Sequence, residues 1–333
     1  MKDLSNYKHF VGCDVSKNTL DFAIYERGKD FRQFEHLQVT NNLAGFQAMR
    51  KWLRGFEIKM KDVVVGMEHT GSYTSAITDW CYKKGYAFVL LHPLDVKNAC
   101  SRGRNKNDTA DSQFIADYVY MMREKLSVSE PEPQIIRKLR QLRNERQLAV
   151  RTRTAYINQL KSLTETTTAK RLEKMIAILT EQIKDVEKAM LKAIESEETL
   201  FNNYKLLRTI PGIGLVNAIT TIIATGNFTR FQTSRQYAKF CCLSPLTRQS
   251  GVSVKGKDQV SRAGHNEIKA ILTEGARSAI HHDKQLKEYY NRKRAAGKSH
   301  GCVMNAVKFK LVCRMFAVIQ RQTPYVNTSR YMS

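Results

Sequence analysis

The chain has 333 residues, 55 Lys+Arg against 31 Asp+Glu for a formal net charge of +24, and 42% hydrophobic side chains. That apolar fraction excludes wholesale disorder, and the length implies about two domains of roughly 150 residues each. No run approaches the roughly 18 apolar residues of a membrane span, the opening MKDLSNYKHF lacks the apolar core of a secretory signal, and the seven cysteines never fall in a CxxC pair, so membrane insertion, secretion, a disulfide framework and a zinc site are all disfavoured and a reducing cytoplasm fits best. A field of one sign this large attracts polyanions whose neutralisation releases counterions, so nucleic acid is the first expected partner.

In chain order, HFVGCDVSKNTLDFAIYE (9–26) and FRQFEHLQVT (31–40) read as strands, and NLAGFQAMRKWLRGF (42–56) as an amphipathic helix. DVVVGMEHTG (62–71) reads as a short buried strand. A helix, YTSAITDWCYKKG, ends at Gly85 and is followed by the strand YAFVLLHP, which Pro93 stops. This is an α/β layout with a mixed sheet. The polar basic loop SRGRNKND (101–108) then leads into the helix TADSQFIADYVYMMREKL.

After SEPEP (129–133) the helix breakers vanish: there is no proline from Gln134 to Ile210 and no glycine from Arg104 to Pro211. Two long helices are expected, with the turn at the β-branched stretch TETTTAKR (164–171). Leu172, Ile176, Leu179, Ile183, Val186 and Met190 recur at steps of four and three, a coiled-coil seam. Arg137, Arg140, Arg143 and Arg146 form a stripe at i+3 steps, either a solvated face or a nucleic-acid contact. From about Phe201 to the C-terminus short helices follow, joined by Gly-, Asn- and Ser-bearing turns.

Three constellations can carry chemistry. Asp14 within a strand and Glu68 at the end of another are costly to bury unless paired or bound to a cation. Asp108 and Asp111, at i and i+3 of a helix opening, face the same way. Together these four carboxylates can hold Mg²⁺, which takes oxygen ligands and bridges phosphate oxygens. Read singly, Asp108 and Asp111 are also ordinary helix-start acids, Asp14 a turn cap and Glu68 an ion-pair partner. The order strand, strand, helix is that of ribonuclease-H-like nucleases. The second constellation is IPGIG (210–214), where Gly212 and Gly214 permit a tight turn that presents N–H groups to a phosphate or merely forms an αα corner. The third is the polar block 243–272, whose Ser250, Ser253, Lys255, Lys257, Arg262 and His265 could surround a phosphate.

GCDVSKNTLDFAIY, MEHTGSY, RGRNKNDTADSQFIADY, LLRTIPGIG, LSPLTRQSGVSVKG and SRAGH, in this order from about residue 9 to about residue 315, resemble the IS-one-ten family of bacterial insertion-sequence transposases, relatives of the Piv DNA invertase. The resemblance implies an α/β plus α chain in three parts: a RuvC-like DEDD domain (1–128), a helical coiled-coil region (129–200), and a C-terminal transposase domain with a helix-hairpin-helix-like element (201–333). It further implies Asp14, Glu68, Asp108 and Asp111 as Mg²⁺ ligands and Ser250, in preference to Ser253, as a nucleophile that forms a phosphoserine link to DNA. Donor and target DNA, a bridge RNA and further copies of the chain, as a dimer or tetramer, are the implied partners, in a nucleoid-associated bacterial protein. Arg104, Lys106, Arg248, Lys255 and Arg262 are the expected phosphate-binding bases near the site, the Arg137 to Arg146 stripe an expected RNA contact, and the seam an expected oligomer interface. Cys241 and Cys242 depart from the family's small residues and are assigned to buried packing. The competing reading is a metal-dependent RuvC-like endonuclease or junction resolvase that uses water as nucleophile.

Overall fold

The computed structural model describes residues 3–26, 35–69, 71–93, 95–96, 108–246, 249–250, 254–255, 259–260 and 266–327; for 26, 72, 108–109, 245–246, 249–250, 254–255, 259–260 and 266 it describes the backbone alone. The chain divides into two compact units, Met1–Glu132 and Pro133–Ser333.

The first unit is built on one mixed sheet in the order β3-β2-β1-β4-β5: β1 (His9–Val15), β2 (Thr19–Glu26), β3 (Glu35–Thr40), β4 (Val63–Glu68) and β5 (Ala87–Leu91). β1 pairs antiparallel with β2 and β2 with β3, whereas β1–β4 and β4–β5 are parallel. The stretch 9–26 is thus a hairpin, closed by the Ser16 amide donating to the Thr19 carbonyl at 3.0 Å.

Alternation along the strands sorts the two faces. Val11, Cys13, Leu20, Phe22, Val65 and Met67 are buried with Phe46, Met49 and Leu53 of α1 (Leu43–Gly55) and Ile77 and Trp80 of α2 (Ser75–Lys84). Gly85, at φ +77°, ends α2 in the left-handed conformation that glycine adopts freely. Phe10 and Val64 point the other way, into a core with Phe114, Ile115 and Val119 of α3 (Asp108–Met121).

Glycine lets α3 press onto that second face. Gly12 and Gly66 are register partners on neighbouring strands. A Cβ on Gly12 would lie 1.9 Å from the Ser112 carbonyl oxygen and 2.4 Å from the Ala116 nitrogen, both backbone atoms of α3. A Cβ on Gly66 would meet the Val119 side chain at 2.3 Å.

The second unit begins with an antiparallel helical pair, α4 (Gln134–Leu160) and α5 (Thr166–Glu195). The turn falls at 161–165, a few residues before the expected place, and Thr166 to Thr168 form the first turn of α5. The Glu165 carboxylate accepts hydrogen bonds from the Thr167 and Thr168 amides, and the Thr168 side chain first, with these amides, holds its pKa down at about 2. An N-cap that satisfies two otherwise orphaned amides outweighs the weak helix propensity of three threonines.

On the expected seam of α5, Ile183, Val186 and Met190 are buried while Leu172, Ile176 and Leu179 are half-buried. Along the pair, Arg146 of α4 meets Glu187 of α5 at 2.7 Å, and Arg153 meets Thr180 at 3.5 Å. The buried part of the seam therefore packs within this chain and is not a free interface for another copy. Ile136, Leu139, Val186 and Met190 join one core with α6 (Glu198–Arg208), α7 (Leu215–Thr225), α8 (Ser234–Phe240), α9 (Asn266–His282), α10 (Lys284–Ala295) and α11 (His300–Arg321). The base of the helical pair is consequently part of the same core as the C-terminal helices.

Gly12→Ala forces backbone against backbone, whereas Gly66→Ala meets only a rotatable valine. The first is expected to destabilise the first unit by about 3 kcal/mol or more and the second by about 1 kcal/mol. Thermal unfolding of both variants checks the order, which equal losses would contradict.

Candidate active site and the serine segment

The acids are positioned by the same glycines. Asp14 lies two residues beyond Gly12 and Glu68 two beyond Gly66, so each carboxylate points to the face that α3 covers. Cys13 and Met67 are register partners, which places Asp14 and Glu68 side by side where β1 and β4 end. Asp111, in the first turn of α3, is close enough to Glu68 to act on its carboxyl. Asp14, Glu68 and Asp111 are all half-buried.

Burial first, and the Asp111 carboxylate second, raise the Glu68 carboxyl above its ordinary value, while His92 beyond β5 pulls it partly back. A carboxylate in a partly desolvated place beside another anion is disfavoured in its charged form. Such a set calls for a cation, and its all-oxygen chemistry suits a hard divalent ion. Asp108 opens α3, but its side chain lies outside the described atoms. Among the described residues no three His, Cys, Asp or Glu side chains are gathered closely enough to hold a metal ion.

One acid beside this site has no place in the sequence reading. Asp21 on β2 is the register partner of Asp14, faces α3 and is only 2% exposed. Gln38 donates to its two carboxylate oxygens at 3.1 and 3.3 Å, and His36 Nε2 lies 3.1 Å from Oδ1. An acid inside the apolar strand TLDFAIYE is the same signal that singles out Asp14.

Ser250 belongs to the second unit. Backbone pairing joins β6 (Pro245–Leu246) antiparallel to β9 (Gln259–Val260), and β7 (Gln249–Ser250) antiparallel to β8 (Val254–Lys255). Ser250 pairs with Val254 and Gln249 with Lys255, so Ser250 is the last residue of its ribbon strand. The approach to this segment is anchored by Asn305 of α11, whose Nδ2 donates to the Leu243 carbonyl at 2.6 Å. Arg104, Lys106, Arg248, Ser253 and Arg262 lie outside the described residues, and for Lys255 only the backbone is described.

Other expected nucleic-acid contacts have visible roles inside the fold. Arg146 pairs with Glu187 at 2.7 Å and Arg143 with Glu267 at 3.5 Å, so half of the arginine stripe is engaged by acids of its own unit. Arg137 and Arg140 are half-buried and also have partners within the chain. Gly212, at φ +88°, packs against α9, where a Cβ would meet the Gly275 carbonyl oxygen at 2.3 Å. The glycine requirement there comes from backbone conformation and close helix packing. Gly214 is the N-cap of α7 and has more room, since a Cβ there would come no closer than 3.5 Å to its nearest neighbour, Arg208 Nη1. Cys241 is fully buried with its thiol pushed up to about 12, in keeping with a packing role, and Cys242 is half-buried at φ +51°.

A family model described as a transposase of the DEDD IS110 type matches residues 11–168, and the model of the "Transposase IS116/IS110/IS902 family" matches residues 204–291. The chain is similar to the pilin gene-inverting protein of Moraxella bovis, 23% identical over 326 residues that cover 96% of this chain and 98% of that one. It is also similar to the transposase for insertion sequence element IS1111A of Coxiella burnetii, 24% identical over 278 residues, or 72% of this chain and 73% of the relative. A 43.6 kDa protein of insertion element IS110 from Streptomyces coelicolor is 28% identical over 120 residues, 36% of this chain and 29% of that protein. The described helices include none long and apolar enough to cross a membrane. Two family models of one kind, in order along most of the sequence, show that the chain belongs to the IS110 family of insertion-sequence transposases.

Proposed function

We propose that this transposase cuts and rejoins DNA through a covalent phosphoserine intermediate, with the acids of the first unit and Ser250 of the second acting on the same phosphodiester. The observation that carries the acid half is the mutual approach of Glu68 on β4 and Asp111 on the helix that two glycines seat against the sheet. Such an arrangement opposes its own charge, and the natural recipient is a cation-bound phosphate.

Asp14, Glu68, Asp111 and Asp108 are the residues that would hold Mg²⁺. When bound, the ion supplies neutralisation of phosphate charge and polarisation of the scissile phosphorus. Ser250 Oγ loses its proton and bonds to that phosphorus, and the bond from phosphorus to one deoxyribose oxygen breaks, with the proton passing to the departing oxygen. One phosphodiester replaces another, so a hydroxyl from a second DNA end reverses the step and releases the serine without hydrolysis. Holding two ends at once requires at least two copies of the chain. A bridge RNA that pairs with donor and target DNA accounts for how a single enzyme selects both, and the +24 net charge suits the two polyanions.

Ser250→Ala is expected to abolish both cleavage and strand exchange on a plasmid carrying the element's ends, and Asp111→Asn to do the same. Cleavage that survives in Ser250→Ala but not in Asp111→Asn would transfer the reaction to water and make the protein an endonuclease.

The raised Glu68 pKa also fixes a sign. A carboxyl whose pKa is higher folded than unfolded costs stability as pH rises from the ordinary carboxylate value through the raised one. Without metal, Glu68→Gln therefore matches the wild-type melting temperature in acid and exceeds it at neutral pH, while recombination is lost. A melting temperature below wild type at neutral pH would contradict this.

A further inference from the structure

Three charged side chains are buried among the described residues: Asp21, Asp283 and Lys308. Two have evident compensation. Asp21 is held by Gln38 and His36, and Asp283 caps α10 through the Leu286 amide at 2.8 Å and pairs with Arg314 at 2.9 Å. Lys308 does not. It occupies a core position of α11, in step with Met304, Leu311 and Met315, and is 6% exposed. Its Nζ reaches the Thr273 hydroxyl at 3.4 Å, and no described acid stands within ion-pair distance. Another cation, Lys269, one turn before Thr273 on α9, acts on it, and burial together with Lys269 brings the Lys308 pKa down to about 8. A buried cation facing a like charge is a standing cost to stability that packing does not explain.

Its location gives the cost a use. Asn305, one turn before Lys308 on α11, grips the Leu243 carbonyl just ahead of the Ser250 segment, and its own Oδ1 is buried without a hydrogen-bond partner. Lys269 and Thr273 lie in the first turns of α9, just after that segment. The acids nearest to them in sequence are engaged elsewhere: Glu267, two residues before Lys269, by Arg143, and Glu274, next to Thr273, by Arg277. We propose that Lys308 and Lys269 form a phosphate subsite at the foot of the Ser250 segment, taking a phosphodiester of the nucleic-acid strand on which that segment works. The assignment rests on the reading that residues 244–265 act on DNA.

The test uses the full chain and a fluorescent DNA duplex carrying the element's terminal sequence, with affinity measured across a salt series. Lys308→Met is expected to fold with a melting temperature equal to or above wild type, to bind about tenfold more weakly, and to lower the slope of log K against log salt by about one. Lys308→Arg retains the slope. A folded Lys308→Met with wild-type affinity and slope overturns the proposal. Should Lys308→Met fail to fold, Lys269→Met, at a half-exposed position, decides by the same slope. Ser250→Ala is the control: absence of a covalent adduct in the wild type would defeat the serine mechanism and leave the lysine test intact.

Discussion

The close approach of α3 to the sheet is the constraint on which the acid site depends. Side chains on β1 and β4 would hold the helix at the usual separation, and the missing Cβ atoms of Gly12 and Gly66 remove that spacing where the carboxylates begin. Period-two alternation then leaves no freedom: the face that loses its side chains at Gly12 and Gly66 is the face on which Asp14 and Glu68 emerge. The repulsion between Glu68 and Asp111 is opposed by apolar packing on both sides of the sheet, from Phe10 and Val64 under α3 to Met67 and Phe22 under α1 and α2. A small domain sustains an unfavourable charge cluster when the rest of its core is unambiguous.

Much of this is legible in the sequence. Strand alternation, the glycine stops and the order of the acids point to a mixed sheet with carboxylates at strand ends and a helix start, and the sheet and helices follow that outline. The repeated spacings Gly12-Cys13-Asp14 and Gly66-Met67-Glu68 carry more than the acids alone, because the glycines become informative only when a helix is known to cross them. Asp21 escapes the sequence reading although it bears the signal of Asp14; its partners Gln38 and His36 come from a third strand, and pairing is not printed in the order of residues. The turn between α4 and α5 lies earlier than expected because propensity argues against threonine in a helix, while the Glu165 cap argues more strongly for it.

The helical region illustrates a different limit. A seam at steps of four and three says that a partner helix exists, not whether it comes from the same chain. Here α4 takes that place over Val186 and Met190, with Arg146–Glu187 fixing the alignment. The arginine stripe is ambiguous for the same reason, since i+3 spacing is blind to the acids of other elements. Lys308 is the converse case: the apolar rhythm of α11 predicts a core position, and the ammonium found there is the informative departure.

If carboxylates of one unit and a serine of the other serve a single transesterification, a nucleotide left on the protein reports that directly. Wild-type protein would be incubated with Mg²⁺ and DNA carrying the element's ends, denatured, digested with nuclease and protease, and the peptides analysed by mass spectrometry. The expected result is one nucleotide-bearing peptide, modified at Ser250, that disappears when Asp14 is replaced by Asn. Efficient DNA cleavage with every serine peptide unmodified would contradict the phosphoserine mechanism.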